Sequence, residues 1–260
     1  MGALAQLGHS PAFKAHYPGE AAEYREKALK GWEFIEAAVA KYGVEGGFQR
    51  IFHYGGQFRA RDELAYAAAA MFAMTGDPAY EARLLEWMPY DTTLLLHNVL
   101  SGWRPFRRFT WQRLHESVGA AMRTYAFANR GVLSGSAITY NPTRFLGKSY
   151  IDHVMEEIIG AADDQLARAE ASPFGVSVPK EAKGFGGITY IFPESEAFEL
   201  ITAQLLAPRP AYAEAIQTNL NYHAGANPVN VSFISGLGWV QPRNFVSSAS
   251  CLPLVSRVGA

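Results

Sequence analysis

The spacing of apolar side chains along the chain predicts a helical protein. Over residues 18–43 one helical stripe comprises Ala28, Trp32, Ile35 and Val39, and Gly43 follows where a helix would end. Comparable patterns cover residues 61–77, 78–88, 112–131, 149–171, 193–208 and 210–225. Most connections between them are short, which favours antiparallel neighbours. The pattern therefore predicts about seven helices, with no repeat of fixed length.

Two long glycine-rich segments, 172–192 and 225–239, interrupt the helical pattern. The second starts at Gly225, which we expect to end a helix with a positive φ, and continues through Asn227-Pro228. Long irregular loops in a helical array often carry function. We therefore expect both segments to carry function.

Composition and charge limit the classes of function that the sequence supports. The chain has 260 residues, 49% of them hydrophobic, and a net charge of -1. This balance gives no support for binding nucleic acid or an anionic membrane surface, and no apolar run is long enough to span a membrane. Cys251 is the single cysteine, so the chain contains no internal disulfide. The N-terminal residues do not resemble a signal peptide, and localisation stays open.

Several kinds of reactive site are absent from the sequence. There is no phosphate-binding Walker loop, no H-E-x-x-H zinc motif, no D-x-D-x-D-G calcium loop and no G-x-S-x-G hydrolase elbow. The sequence thus predicts neither a metal site nor a cofactor.

Residues 61–84 contain Asp62-Glu63-Leu64, Tyr66 and Thr75-Gly76-Asp77. This segment resembles the D-E-L-x-W-A-A-A-x-L-x-x-x-T-G-D-x-x-Y segment of glycoside hydrolase family 9, the inverting cellulases, with Tyr66 where the family usually has Trp. The other matches there are Asp62, Glu63, Leu64, Ala65, Ala67, Ala68, Thr75, Gly76, Asp77 and Tyr80. The second block, similar to the family's G-x-N-P motif, comprises Gly225, Asn227, Pro228, Ser232, Phe233, Ser235, Gly236 and Gly238.

The resemblance implies an all-α fold of the (α/α)6 barrel type, which we expect to be incomplete in this chain. Such a barrel gathers its cleft loops at one end, so the resemblance also implies that segments 172–192 and 225–239 lie at the same end and line the cleft. It covers residues 20–244, so we predict an N-terminal extension over 1–19 and a non-matching tail over 245–260. Family members are usually secreted or periplasmic. The implied partner is a polysaccharide or oligosaccharide, and exposed apolar helix faces would favour self-association.

The resemblance also suggests which residues contact sugar. Candidate substrate-binding residues are Tyr190, Tyr222, His223, Asn227, Ser232 and Trp239, with Trp103 as a further stacking aromatic. Each has a structural alternative, since aromatics more often pack in a core and the Asn-Pro motif would also close a helical hairpin. The pair Asp62-Glu63 is expected to be structural, because carboxylates at a helix start accept free amides.

The catalytic carboxylates of the family have no counterpart here. Inversion requires one carboxyl group to protonate the leaving oxygen and a second to activate water. The family's Asp pair in a D-A-G-D-type stretch is missing, and no acidic residue follows Glu214. We therefore assign no catalytic residue. Two hypotheses remain: a glycosidase-derived domain that is inactive as this chain, or a non-catalytic helical scaffold that binds carbohydrate or protein.

Overall fold

The computed structural model describes residues 1–44, 61–89, 117–128, 148–178, 197–234 and 236–238. Within these ranges the secondary structure is helical, with no strand. The nine described helices are α1 (Gly2–His9), α2 (Pro11–His16), α3 (Pro18–Tyr42), α4 (Arg61–Thr75), α5 (Pro78–Trp87), α6 (Ser117–Phe127), α7 (Tyr150–Ala171), α8 (Phe198–Leu206) and α9 (Pro210–Ala224). None of them is both long and apolar enough to cross a lipid bilayer.

The chain forms two compact units. Unit 1 comprises residues 1–108 and 112–157, and unit 2 comprises 109–111 and 158–260. Among the described elements, α1 to α6 lie in unit 1, and α8 and α9 lie in unit 2. Helix α7 contributes its first part to unit 1 and its remainder to unit 2.

Helix α4 forms the centre of unit 1. Most of its residues are buried, including the run Ala67–Ala70 and the fully buried Met71 and Phe72. It packs against α6, α5 and α1. Small alanine side chains allow these helices to approach closely, while Met71 and Phe72 each contribute about 1.5–3 kcal/mol through burial. The alanine-rich segment thus provides much of the core of unit 1.

A tight corner joins α4 to α5. Gly76 has φ +73 and donates its N–H to the Phe72 carbonyl, 2.8 Å away, which ends α4. Asp77 then accepts the Ala79 N–H at 2.9 Å, and Pro78 occupies the first turn of α5. The Thr-Gly-Asp-Pro sequence therefore specifies a helix stop followed at once by a helix start.

The first 19 residues contain two helices that pack on the rest of unit 1. Helix α1 contacts α3 and α4, and α2 contacts α3. Gln6 links three helices, because it accepts the Tyr66 hydroxyl at 3.0 Å and donates to Thr124 at 2.7 Å. Tyr66 stands where the resembled segment usually has Trp, and its hydroxyl has a polar partner here. The predicted extension 1–19 remains a boundary prediction, but its residues are helical.

Unit 2 is built on an antiparallel pair, α8 and α9, packed with the second part of α7. Asp163 of α7 accepts from the Tyr212 hydroxyl at 2.5 Å and from Arg209 at 2.8 Å. Gln165, which is fully buried, accepts the Leu200 N–H at the start of α8. Polar side chains of α7 therefore fix both α8 and α9.

All seven predicted helices correspond to described helices. Gly43 and Gly225 follow α3 and α9 with φ +77 and +125, as expected. The predicted stripe on α3 is partly wrong: Ala28 and Trp32 are buried, whereas Ala38 is more buried than Val39. The reason is that α3 also has α1 and α2 beside it, which the stripe alone does not reveal.

Candidate functional site

The Asn-Pro motif forms an ordered loop, 225–238, at the C-terminal end of α9. The Ala226 N–H donates to the Asn221 carbonyl at 2.9 Å, which closes the last turn of the helix. The Phe233 N–H donates to the His223 carbonyl, also at 2.9 Å. The loop therefore leaves the helix end and returns to it. The placements of Ser235 and Trp239 lie outside the described residues.

Asn227 organises this loop from inside. Its Nδ2 donates to the carbonyls of Tyr222 and Val231, both at 2.8 Å. Its Oδ1 accepts the N–H groups of Val229 at 3.2 Å and Val231 at 3.3 Å. An amide has two donor hydrogens and two acceptor lone pairs, so these four bonds use its full capacity. The side chain is buried, and it shapes the loop through backbone contacts.

Ser232 is also buried, and its hydroxyl bonds to a residue close to it in the sequence. Its hydroxyl donates to the Ile234 carbonyl and accepts the Ile234 N–H, both at 3.2 Å. Gly238, with φ +81, lies against it, since a Cβ at that glycine would be 3.1 Å from the Ser232 Cβ. The structure thus places both Asn227 and Ser232 beneath the loop surface. Their predicted contact with sugar stays a prediction.

Two candidate residues, Tyr222 and His223, lie in the last turn of α9 and are half-buried. The His223 ring meets the Phe233 ring edge to face, with centroids 5.6 Å apart. Tyr222 makes a similar T-shaped contact with Phe174, at 6.0 Å. The site therefore combines aromatic side chains with a densely hydrogen-bonded loop.

The first glycine-rich segment reaches the same helix. Its described part, residues 172–178, follows α7 directly. Thr218 of α9 donates to the Gly175 carbonyl at 2.7 Å, and Asn219 accepts the Ser177 N–H at 2.9 Å. Both described glycine-rich parts thus contact the C-terminal half of α9. The remainder, 179–192, lies outside the described residues, and so do the candidates Tyr190 and Trp103.

Three residues of this site were not among the sequence candidates: Phe174, Thr218 and Asn219. Thr218 and Asn219 fall on a helix, where their partners in a distant turn cannot be deduced from periodicity. For Phe174 a signal existed, since an aromatic residue before a glycine in a loop is poorly explained by helix packing.

Asp62 has a structural role in unit 1. It accepts the Ser117 N–H at 3.0 Å, so it caps the start of α6. Desolvation, followed by the hydrogen bond and negative charge of Asp62, raises the pKa of Glu63 to about 8. The structural role expected of the pair is therefore found for Asp62, and for Glu63 it stays a prediction.

Other described aspartates are engaged in similar ways. Asp77 and Asp152 accept backbone N–H groups at helix starts, from Ala79 and Ser149 respectively. Asp163 accepts from Tyr212 and Arg209. Within the described residues, no group of three or more His, Cys, Asp or Glu side chains is arranged to bind a metal ion.

Comparison with known proteins yields a family and a fold. A family model described as glycosyl hydrolase family 9 matches residues 2–256. Among solved structures, the chain is similar to family 9 endoglucanase J30, with 18% identity and a TM-score of 0.64, covering 93% of this chain and 39% of that one. No curated protein sequence matches this chain significantly.

Two further structures agree. AaCel9A in complex with a cellobiose-like isofagomine has 18% identity and a TM-score of 0.62, covering 92% of this chain and 40% of that one. A GH9 protein of Bacteroides ovatus has 18% identity and a TM-score of 0.60, covering 93% and 40%. The predicted all-α fold of the (α/α)6 type is therefore confirmed, and this chain spans about two-fifths of the length of these structures.

Proposed function

Because the chain belongs to glycosyl hydrolase family 9, we propose that it binds cellulose-type β-linked glucans at the loop 225–238 and does not hydrolyse them by itself. The observation that supports this most is the loop itself. The family's Asn-Pro block is shaped by the four hydrogen bonds of Asn227 and lies beside the half-buried Tyr222 and His223. Such a loop presents fixed backbone groups next to aromatic rings.

The sugar class follows from the family and from one similar structure, which was solved with a cellobiose-like isofagomine. Sugar hydroxyls are neutral donors and acceptors, and the C–H face of a pyranose is apolar. An uncharged loop flanked by aromatic rings suits both. The candidates that we assign to this subsite are Tyr222 and His223 directly, with Asn227 and Ser232 as positioning residues. Tyr190 and Trp239 remain candidates outside the described residues.

The absence of hydrolysis rests on the carboxylates. Each member of a catalytic pair supplies on the order of 10² to 10⁴ in rate. No D-A-G-D-type pair and no carboxylate beyond Glu214 exist in this sequence. Of the described aspartates, Asp62, Asp77 and Asp152 accept backbone N–H groups at helix starts. These carboxylates stabilise helices and give no support for a general acid or base.

Two assays on the purified chain test this proposal. Isothermal titration with cellohexaose should give saturable binding, and reducing-sugar release from carboxymethyl-cellulose should stay at the buffer level. Turnover that survives purification, and that is lost when a carboxylate of this chain is changed to its amide, would show that the chain is an enzyme. A chain that binds no neutral glucan would instead favour the form of the second hypothesis in which the helical scaffold binds protein rather than carbohydrate.

A further inference from the structure

Phe174 is an exposed aromatic side chain on a rigid turn. Its exposed fraction is 45%. Its N–H donates to the Ser172 hydroxyl at 3.3 Å, and the Gly175 N–H donates to the Ser172 carbonyl at 3.0 Å. Gly175 has φ +64, a backbone conformation that favours glycine. These contacts define the backbone of the turn that carries Phe174.

This turn is anchored to α9 by buried contacts. Thr218 donates to the Gly175 carbonyl, while the fully buried pair Ser177 and Asn219 is joined by two hydrogen bonds, of 2.9 and 3.0 Å. A Cβ at Gly175 would lie only 2.9 Å from the Thr218 Cβ, so the turn and the helix are in close contact. Because the turn is already held against α9, little conformational entropy is lost when a ligand binds at Phe174.

The Phe174 ring contacts Tyr222 at one side only. Their centroids are 6.0 Å apart and the ring planes meet at 79°. Whichever ring presents its edge in such a pair, Tyr222 leaves at least one face of the Phe174 ring uncovered. Tyr222 is half-buried, whereas Phe174 is exposed.

The two loop segments at this site contain no charged side chain. Neither the segment 172–178 nor the loop 225–238 contains a Lys, Arg, Asp, Glu or His residue. Nucleic acids and anionic lipids are bound through cationic side chains, which these segments lack. A neutral ligand with an apolar face matches this surface.

We propose that Phe174, supported by Tyr222, forms a stacking platform for one pyranose ring of a neutral β-linked glucan. This inference rests on the proposed function and adds to it a specific subsite, at the turn after α7. The sugar ring would lie against the open aromatic face, and its hydroxyls would reach toward the polar backbone of the loop 225–238.

The test compares substitutions at position 174 by isothermal titration with cellohexaose. Phe174→Ala and Phe174→Leu should both weaken binding by about tenfold or more, because truncating a central aromatic contact typically costs over 1 kcal/mol. Phe174→Tyr should retain binding within about twofold. Leucine fills similar volume without an aromatic face, so it separates stacking from packing. Phe127→Ala, at a phenylalanine of unit 1 that is 48% exposed, should leave the affinity unchanged.

The outcomes separate this inference from the proposed function. If the parent chain binds cellohexaose and Phe174→Leu binds equally well, the platform is overturned and glucan binding stands. If the parent binds no cellohexaose, both are overturned. If the substitutions lower self-association in light scattering and leave sugar affinity unchanged, Phe174 belongs to a protein contact instead. Thermal melts of each variant confirm that the fold persists.

Discussion

Asn227 illustrates how one side chain can shape a loop through backbone contacts. Its position in the Asn-Pro motif suggests a direct sugar contact. In the structure its amide bonds to the backbone of Tyr222, Val229 and Val231, and only 4% of the residue is exposed. These bonds use the full capacity of the amide, so a hydrogen bond to a sugar hydroxyl would have to replace one of them. We therefore expect Asn227 to act on binding through the shape of the loop.

Asn227→Ala should destabilise the chain by about 1–3 kcal/mol, because the buried backbone groups of Val231 lose their partners. The thermal midpoint should fall by several degrees, since about 1 kcal/mol corresponds to roughly 2–4 °C in a chain of this size. The matched control is Asn230→Gly. Asn230 is exposed and has φ +49, which glycine adopts freely, so this variant should melt like the parent. Equal midpoints for both variants would contradict the assigned role.

Glu63 provides a pH-dependent test. Its pKa is raised in the folded protein to about 8 from an ordinary value of 4.5, so folding favours the neutral carboxyl. The resulting stability is present in full below pH 4.5 and is lost as the pH rises through about 8.

Glu63→Gln should therefore melt higher than the parent at pH 9 and show no gain at pH 4. Because the side chain is exposed enough for water to screen part of the effect, we expect at most about 1 kcal/mol. A gain of equal size at both pH values would show that the effect is not the ionisation of Glu63.

At the scale of elements, substitution by alanine is expected to have opposite effects on stability at two helical glycines. Gly8 of α1 lies against the backbone of α3, where a Cβ would be 2.8 Å from the Arg25 nitrogen. Gly19, in the first turn of α3, would have nothing within 4 Å of its Cβ. Substitution by alanine is thus sterically obstructed at Gly8 and unobstructed at Gly19.

We expect Gly8→Ala to destabilise unit 1 by about 1–3 kcal/mol, since the helices must separate to admit a methyl group. Gly19→Ala should stabilise by roughly 0.5–1 kcal/mol, because alanine loses less backbone entropy in a helix. Urea unfolding monitored by circular dichroism measures both. Stabilisation by Gly8→Ala would mean that α1 and α3 are not in close contact.

The elements that sequence could predict are those specified by local chemistry. Gly43, Gly76 with Asp77, and Gly225 each mark a boundary through their own backbone preference, and each boundary is found where expected. Helices α1 and α2 were not predicted, because they have 8 and 6 residues and derive their stability from packing on α3. The signal for α2 was nevertheless present, since Ser10 before Pro11 is a typical helix start.

Contacts between segments that are distant in the chain could not be predicted from the sequence. Asp62 caps α6, 55 residues away, rather than its own helix. The Phe174–Tyr222 pair likewise joins a turn to a helix through the fold. Periodicity identifies which face of a helix is apolar, but not which element covers it. The candidate list therefore included Tyr222 from its place beside the motif and omitted Phe174.

At the scale of the whole molecule, one helix face is open to solvent. Phe198, Ile201 and Leu205 follow one another along α8 with exposed fractions of 46%, 38% and 69%. Spacings of three and four residues put them on one side of the helix. Exposed apolar stripes of this kind promote association between molecules.

We predict that the purified chain self-associates and that Leu205→Glu reduces this, because a charge in an apolar contact must be desolvated. Size-exclusion chromatography with light scattering measures the change in mass with concentration. Leu85→Glu, at a 38% exposed leucine of α5, is the control and should associate like the parent. A parent chain that stays monomeric at all concentrations would rule out this surface as a self-contact.

The hydrogen bonds of Asn227 have one more consequence, for folding order. All four hydrogen bonds join residues between 222 and 231, so none requires a distant part of the chain to be in place first. Contacts so close in sequence cost little loop-closure entropy, and loops of about 10 residues close in roughly 10–100 ns. We therefore expect the turn at Asn227 to be among the earliest structures of unit 2. The contacts between the turn at Phe174 and α9 would then form later, beside a loop that already has its final shape.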